Sequence, residues 1–250
     1  MISEAVKLYK QLATIDQYEI PIIVPVFNLV SYAEFMVNQL KKYNLNNFII
    51  CDNASSYPKM IDYLENLSKT ERVVMFEENL GPRVFTERPE FLSIMPDYFI
   101  VTDPDLIFNE NLPKNFINKM KRILNTYDVS KVGFAIDIEE TKDKFFNSSK
   151  VKMWEGPYWQ RQITKYEEKD PVYLAPIDTT FCLHDKEKIK NEMIRDRHGI
   201  AFTSAIRIAG RFTCQHMGWW KEQPLESEEL EAYSKNNKWG STDLGFVPGV

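Results

Sequence analysis

At 250 residues the chain can bury a sizeable core, as one large domain or two small ones. Hydrophobic residues make up 44% and charged residues 27%, the balance of an ordinary globular protein. The net charge of −5 argues against a nucleic-acid partner, because phosphate binding asks for a basic surplus. No stretch nears the roughly 18 apolar residues of a spanning helix, and the opening MISEAVKLYKQ carries no signal-peptide run. The expectation is a cytoplasmic protein, at most peripheral at the inner face of a membrane. Cys51, Cys182 and Cys214 lie in apolar, strand-like surroundings without CxxC spacing, which points to buried free thiols.

In chain order, residues 2–15 place Ile2, Val6, Tyr9, Leu12 and Ile15 at helical spacing. Residues 19–27 form a continuous apolar run, as in a strand covered on both faces. Residues 31–43 predict a helix opened by a capping Ser31 three residues before Glu34. A second strand is expected over 46–52, then a helix over 57–67 with Pro58 in its first turn. Strands follow at 72–76 and 97–103, a helix at 112–124 and a strand at 131–137. This rhythm predicts an α/β fold: a mostly parallel sheet with helices on both faces.

Beyond 138 the rhythm breaks. Residues 139–170 are polar and predict a long loop, 171–184 are strand-like, and the acidic tail from 224 reads as a helix. No linker or repeat divides the chain, so a single domain over 1–250 is expected, regular to about 138 and irregular from about 139.

In open parallel sheets ligands bind at the carboxyl ends of the strands. The first predicted strand ends in Pro25-Val26-Phe27-Asn28 and the second in Asp52-Asn53. The third leads into Asn79-Leu80-Gly81-Pro82-Arg83 and the fourth into Asp103-Pro104-Asp105. Two carboxylates flanking one residue after an apolar strand repel each other unless a proton or cation neutralises them. A hard divalent ion takes oxygen ligands readily, and a diphosphate can complete its shell. The competing reading is a turn capped by Asp103. Asp52 is an acceptor that suits a ribose or base donor, or else an Asx turn. Gly81 permits positive φ, and Arg83 can meet a phosphate or a neighbouring glutamate.

The ordered set PVFN, CDNASS, ENLGPR and TDPD resembles the nucleotide-binding half of GT-A fold glycosyltransferases, most of all glycosyltransferase family two. The resemblance covers about residues 20–138. It implies a Rossmann-like GT-A domain with an acceptor half over about 139–250. It further implies nucleotide contacts from Pro25, Phe27, Asn28 and Asp52, and from Asn79, Gly81 and Arg83. Asp103 would bind metal and donor, and Asp105 would be the direct ligand of Mn²⁺ or Mg²⁺. His216, in TCQHMGWW, matches the late histidine that completes the metal site in many such enzymes, although a structural histidine is the alternative. His184 and His198 are expected to be structural, and Trp219 and Trp220 to pack.

Asp178 in PIDTTF lies between apolar residues, where partial burial would raise its pKa to suit a general base. Family two enzymes keep an acidic residue in this region, often as a Glu-Asp pair, which Ile-Asp replaces here. An aspartate bonding the Thr179 and Thr180 amides is the other reading. Trp154, Tyr158 and Trp159 could offer an aromatic platform to a sugar, or anchor their loop. The function the resemblance implies is transfer of a sugar from a nucleoside diphosphate donor, by family tendency UDP. The acceptor would be a saccharide or lipid-linked saccharide, with inversion, in surface polysaccharide or glycan synthesis. The alternatives are a sugar nucleotidyltransferase, which usually has a Gly-rich loop after its first strand, and a non-catalytic carbohydrate-binding subunit.

Overall fold

The computed structural model describes residues 2–139, 142–165, 168–196 and 205–236, and His198 lies outside them. An eight-stranded sheet organises the chain in the order β3-β2-β1-β4-β8-β6-β9-β7. The strands are β1 (Ile22–Val26), β2 (Phe48–Asp52), β3 (Val73–Met75) and β4 (Tyr98–Val101), then β6 (Lys131–Phe134), β7 (Val172–Leu174), β8 (Cys182–Asp185) and β9 (Ala205–Ile208). β1 to β4 are mutually parallel, β8 runs against both β4 and β6, and β9 is parallel to β6 with β7 against it. A separate two-stranded antiparallel ribbon pairs β5 (Leu106–Ile107) with β10 (Gln215–His216).

Alternation along the strands sends side chains to opposite faces, so two apolar layers form. One face buries Ile22, Val24, Ile50 and Ile100 beneath α2 (Val30–Lys42), α3 (Pro58–Leu67) and α6 (Phe116–Thr126). The other buries Ile23, Ile49, Cys51 and Phe99 against α1 (Ile2–Leu12), α4 (Val84–Glu87) and α5 (Pro89–Ile94). That double coverage is why the first strand reads as an unbroken apolar run. All three cysteines are buried and free.

Three local expectations change. The polar stretch 139–170 contains α7 (Ser148–Glu155), whose first turn is capped where the Asn147 side chain accepts from the Lys150 amide. The strand-like 171–184 is two strands, β7 and β8, separated by a loop in which Ile177 points inward and Asp178 outward. The Ser31–Glu34 capping box does not form: α2 has no local side-chain cap, and the Ser31 amide donates to Glu229 at 3.1 Å. Glu229 belongs to α9 (Ser227–Asn236), the expected acidic helix; α8 (Lys186–Asp196) directly follows β8.

Candidate active site

The carboxyl ends of β1, β2 and β4 open onto a cleft of about 1110 Å³. At the end of β1, Pro25 and Phe27 line it, while Asn28 turns away in a left-handed conformation, φ 54°. The Asn28 amide oxygen accepts from the Ser56 and Tyr57 amides, and its NH₂ donates to the Ala232 carbonyl. Asn28 therefore ties β1, the β2–α3 loop and α9 together. Asp52 is likewise buried, accepting from the Ser55 amide at 3.0 Å and from the Ser55 hydroxyl. Burial pushes its carboxyl above the usual range and the Ser55 bonds oppose the rise. The arrangement is the turn-forming one, and neither Asn28 nor Asp52 faces the cleft; Asn53 does.

The Asn53 side chain accepts from the Leu80 amide, and the Asn79 side chain from the Gly81 amide. Gly81 adopts φ 81°, which a residue with a Cβ adopts only at a cost. This turn carries Asn79 and Arg83 into the cleft wall, whereas Gly81 itself stays behind it. Arg83 is paired with Glu87 at 3.4 Å and lies 3.9 Å from Asp178.

At the end of β4, Asp103 and Asp105 meet His216, with one ligand atom of each within 4.8 Å of the others. The ribbon of β5 and β10 makes this contact: His216 is in register with Leu106, and the Met217 amide donates to the Asp105 carbonyl. His216 Nε2 lies 3.5 Å from Asp105 Oδ2, and the imidazole stacks on Trp219 at 4.4 Å. His216 Nδ1 is buried with no hydrogen-bond partner among the described residues. Asp103 is held by Thr179, whose hydroxyl donates to Oδ2 at 2.6 Å and whose carbonyl accepts the Asp103 amide. Burial first, and then the charge of Asp105, hold the Asp103 carboxyl well above the usual range. Two carboxylates that repel each other, beside an imidazole with one orphaned nitrogen, fit a divalent cation such as Mn²⁺.

The cleft is further lined by Pro176 to Thr180 with Arg207, Glu155, Tyr158 and Trp154. Asp178 is 58% exposed, contrary to the partial burial expected of it, because its segment is a loop and only its neighbour Ile177 enters the core. Arg207 of β9 is buried, paired with Glu155, donating to the Pro176 carbonyl at 2.7 Å, and 4.3 Å over the Tyr158 ring. Trp154 stands half exposed at the rim. Trp159 is not part of the cleft and packs edge-on against Tyr173. Trp219 is buried beside Phe145, and Trp220 sits under the Lys144 ammonium. His184 is fully buried in β8, stacked on Phe99 at 5.0 Å, with its pKa depressed by desolvation.

Reading the sequence alone overlooked Thr179, Arg207, Tyr32 and Tyr233, all of which line the cleft. The signal available for Arg207 was a lone arginine inside the apolar run AIRIA; the other three carried none.

No protein-family model and no curated protein matches the chain. Among solved structures it is similar to glucosyl-3-phosphoglycerate synthase from Mycobacterium tuberculosis, solved with Mn²⁺, UDP and glucosyl-3-phosphoglycerate. That likeness has 14% identity, covers 94% of this chain and 80% of that one, and has a TM-score of 0.44. A second likeness is to GalNAc-T7 with UDP, GalNAc and Mn²⁺: 11% identity, 88% of this chain, 48% of that one, TM-score 0.48. A third is to TarS from S. aureus, at 14% identity and TM-score 0.35, covering 48% of this chain and only 22% of that one. At TM-scores below 0.5 these likenesses assign the chain no role.

Proposed function

We propose that the chain is a metal-dependent glycosyltransferase of the GT-A type, using a nucleoside diphosphate sugar. The observation that carries this reading is the Asp103–Asp105–His216 cluster at the strand ends of a cleft large enough for a nucleotide and a sugar. Asp105 and His216 would hold Mn²⁺ or Mg²⁺ with Asp103 beside them, and the imidazole favours Mn²⁺. Such an ion supplies neutralisation of the charge that develops on the departing diphosphate. Pro25 and Phe27 offer an apolar seat for the nucleoside, and UDP is the proposed carrier. Asn79 and Arg83 line the same cleft, where Arg83 can pair with phosphate oxygens. Asn28, Asp52 and Gly81 act in this reading by shaping the loops that carry those groups.

The acceptor, a saccharide or lipid-linked saccharide in glycan or surface polysaccharide synthesis, enters by the wall of Trp154 and Tyr158. Asp178, exposed to the cleft, takes the proton of the acceptor hydroxyl as its oxygen bonds to the anomeric carbon. The bond to the diphosphate oxygen breaks at the same time, and the configuration inverts. No described helix is long and apolar enough to cross a membrane, so a lipid-linked acceptor would be met at a surface. The absence of glycine from Pro25 to Tyr32 weighs against a sugar nucleotidyltransferase.

The test is calorimetry with UDP and Mn²⁺, together with a screen of nucleotide sugars for metal-dependent release of nucleoside diphosphate. UDP binding strengthened by Mn²⁺ is expected, with the coupling lost in Asp105→Asn at unchanged fold. An Asp105→Asn protein with the original metal dependence would overturn the assignment.

A further inference from the structure

The first turn of α2 places Tyr32 against the cleft, next to the metal-type cluster. The residue is only 2% exposed, and its hydroxyl is buried without a hydrogen-bond partner among the described residues. It is a lining group of the cleft all the same. Buried tyrosine hydroxyls ordinarily find a partner, because an unpaired one forfeits its hydration with nothing in return. Burial, and after it the charges of Asp105, Glu229 and Tyr233, push its ionisation above the ordinary value, so the group is a neutral phenol able to donate.

The surroundings say which ligand would receive that hydrogen bond. Tyr32 shares its wall with Phe27 at the end of β1 and with Tyr233 of α9, whose ring lies 6.1 Å from that of Phe27. Glu229, fully buried, fastens this wall by accepting from the Ser31 amide of α2 and from the Glu226 amide at the start of α9. Asn28 adds its bond to the Ala232 carbonyl, and Lys59 pairs with Glu226. Tyr32 also lies near enough to Asp105 for that carboxylate's charge to act on its hydroxyl, and Phe27 closes β1, so this wall stands at the strand ends. In the functional reading above, the strand ends hold the nucleoside and diphosphate, so the acceptors within reach of this unpaired donor are ribose and phosphate oxygens.

We infer that Tyr32 is a donor-binding residue, its hydroxyl hydrogen-bonding an oxygen of the nucleoside diphosphate, while Tyr233 and Phe27 form the aromatic wall beside it. This rests on the glycosyltransferase reading and adds a binding role for α2 and α9 that the motifs do not contain. Because the hydroxyl is unpaired without ligand and paired with it, removing it should act oppositely on stability and on binding.

The experiment compares the unchanged chain with Tyr32→Phe, by calorimetry with UDP and Mn²⁺ and by thermal melting without either. Tyr32→Phe is expected to melt at the same or a higher temperature, to bind Mn²⁺ alone as before, and to bind UDP about tenfold more weakly. A lower melting temperature in the ligand-free variant would show that the hydroxyl has a structural partner and would overturn the inference. Equal UDP affinity in the two proteins would overturn it alone. Failure of the unchanged chain to bind UDP with Mn²⁺ would overturn the functional reading and this inference with it.

Discussion

Gly218 sits so close to the metal-type cluster that a Cβ built on it would lie 2.6 Å from Asp105 Oδ2 and 2.8 Å from His216 Cε1. Those atoms can yield, but only by moving a side chain proposed to hold the metal. Gly218→Ala is therefore expected to weaken Mn²⁺ binding by about tenfold or more while the protein stays folded, as titration calorimetry and circular dichroism would show. Asp178 makes the contrasting case. Exposed and 3.9 Å from Arg83, it is available to an acceptor without a local polar network depending on it. Asp178→Asn should leave UDP and Mn²⁺ affinity unchanged and lower turnover by about 10²–10⁴-fold, the usual worth of a general base. Near-normal turnover would move the base elsewhere. The carboxylate pair was legible in sequence because two aspartates one residue apart after an apolar strand share a strand end by construction. The exposure of Asp178 was not legible, because a loop and a strand of the same composition are told apart only by what pairs with them.

At the scale of elements, the helix α2 has no side-chain cap of its own and shares a carboxylate with the N-terminus of α9. Glu229 accepts from Ser31 at 3.1 Å and from Glu226 at 3.2 Å, with both helix N-termini favouring its negative charge. Charge-assisted bonds of this kind contribute about 1.5–3 kcal/mol. Glu229→Ala should cost about 2–3 kcal/mol in denaturant unfolding, and should weaken UDP binding as Tyr233 loses its support. A loss of stability with unchanged UDP affinity would separate α9 from the site. The helix over 58–67 was readable from Pro58 and its apolar spacing, since those are local signals. The true partner of the α2 N-terminus lies 198 residues away from Ser31, beyond the reach of any capping pattern.

For the whole molecule, acid stability should turn on His184. In the folded chain its imidazole is fully buried and its pKa lies well below the ordinary value, so the unfolded chain takes up a proton that the folded chain refuses. Its contribution is then complete above about pH 6.5 and is lost as pH falls below it, at up to about 1.4 kcal/mol per pH unit. Asp103 acts with the opposite sign. Its raised carboxyl pKa makes the folded, metal-free chain retain a proton, favouring the folded state as pH falls from that raised value to the ordinary one of about 3.9. His184→Phe isolates the first effect. In urea unfolding at pH 7.5, 6.5 and 5.5, the variant should gain little on the original down to pH 6.5 and most of its advantage below it, and a pH-independent difference would assign the acid sensitivity elsewhere.

Features that depend on neighbours along the chain are legible in the residues alone. The apolar strands, their alternation with helices, the Gly81 turn and the placing of Asp103 and Asp105 beyond β4 all follow from local spacing and backbone preference. Tertiary structure alone decided what depends on distant segments. The pairing of β10 with β5 delivers His216 to Asp105, the docking of α9 adds Tyr233, and the loop before β8 turns Asp178 outward. The same packing buries Asn28 and Asp52 as turn-forming groups behind the cleft rather than in it. The physical reason is that local preference acts over a few residues, whereas burial and hydrogen-bond partnership are settled by which surfaces the whole chain must cover at once.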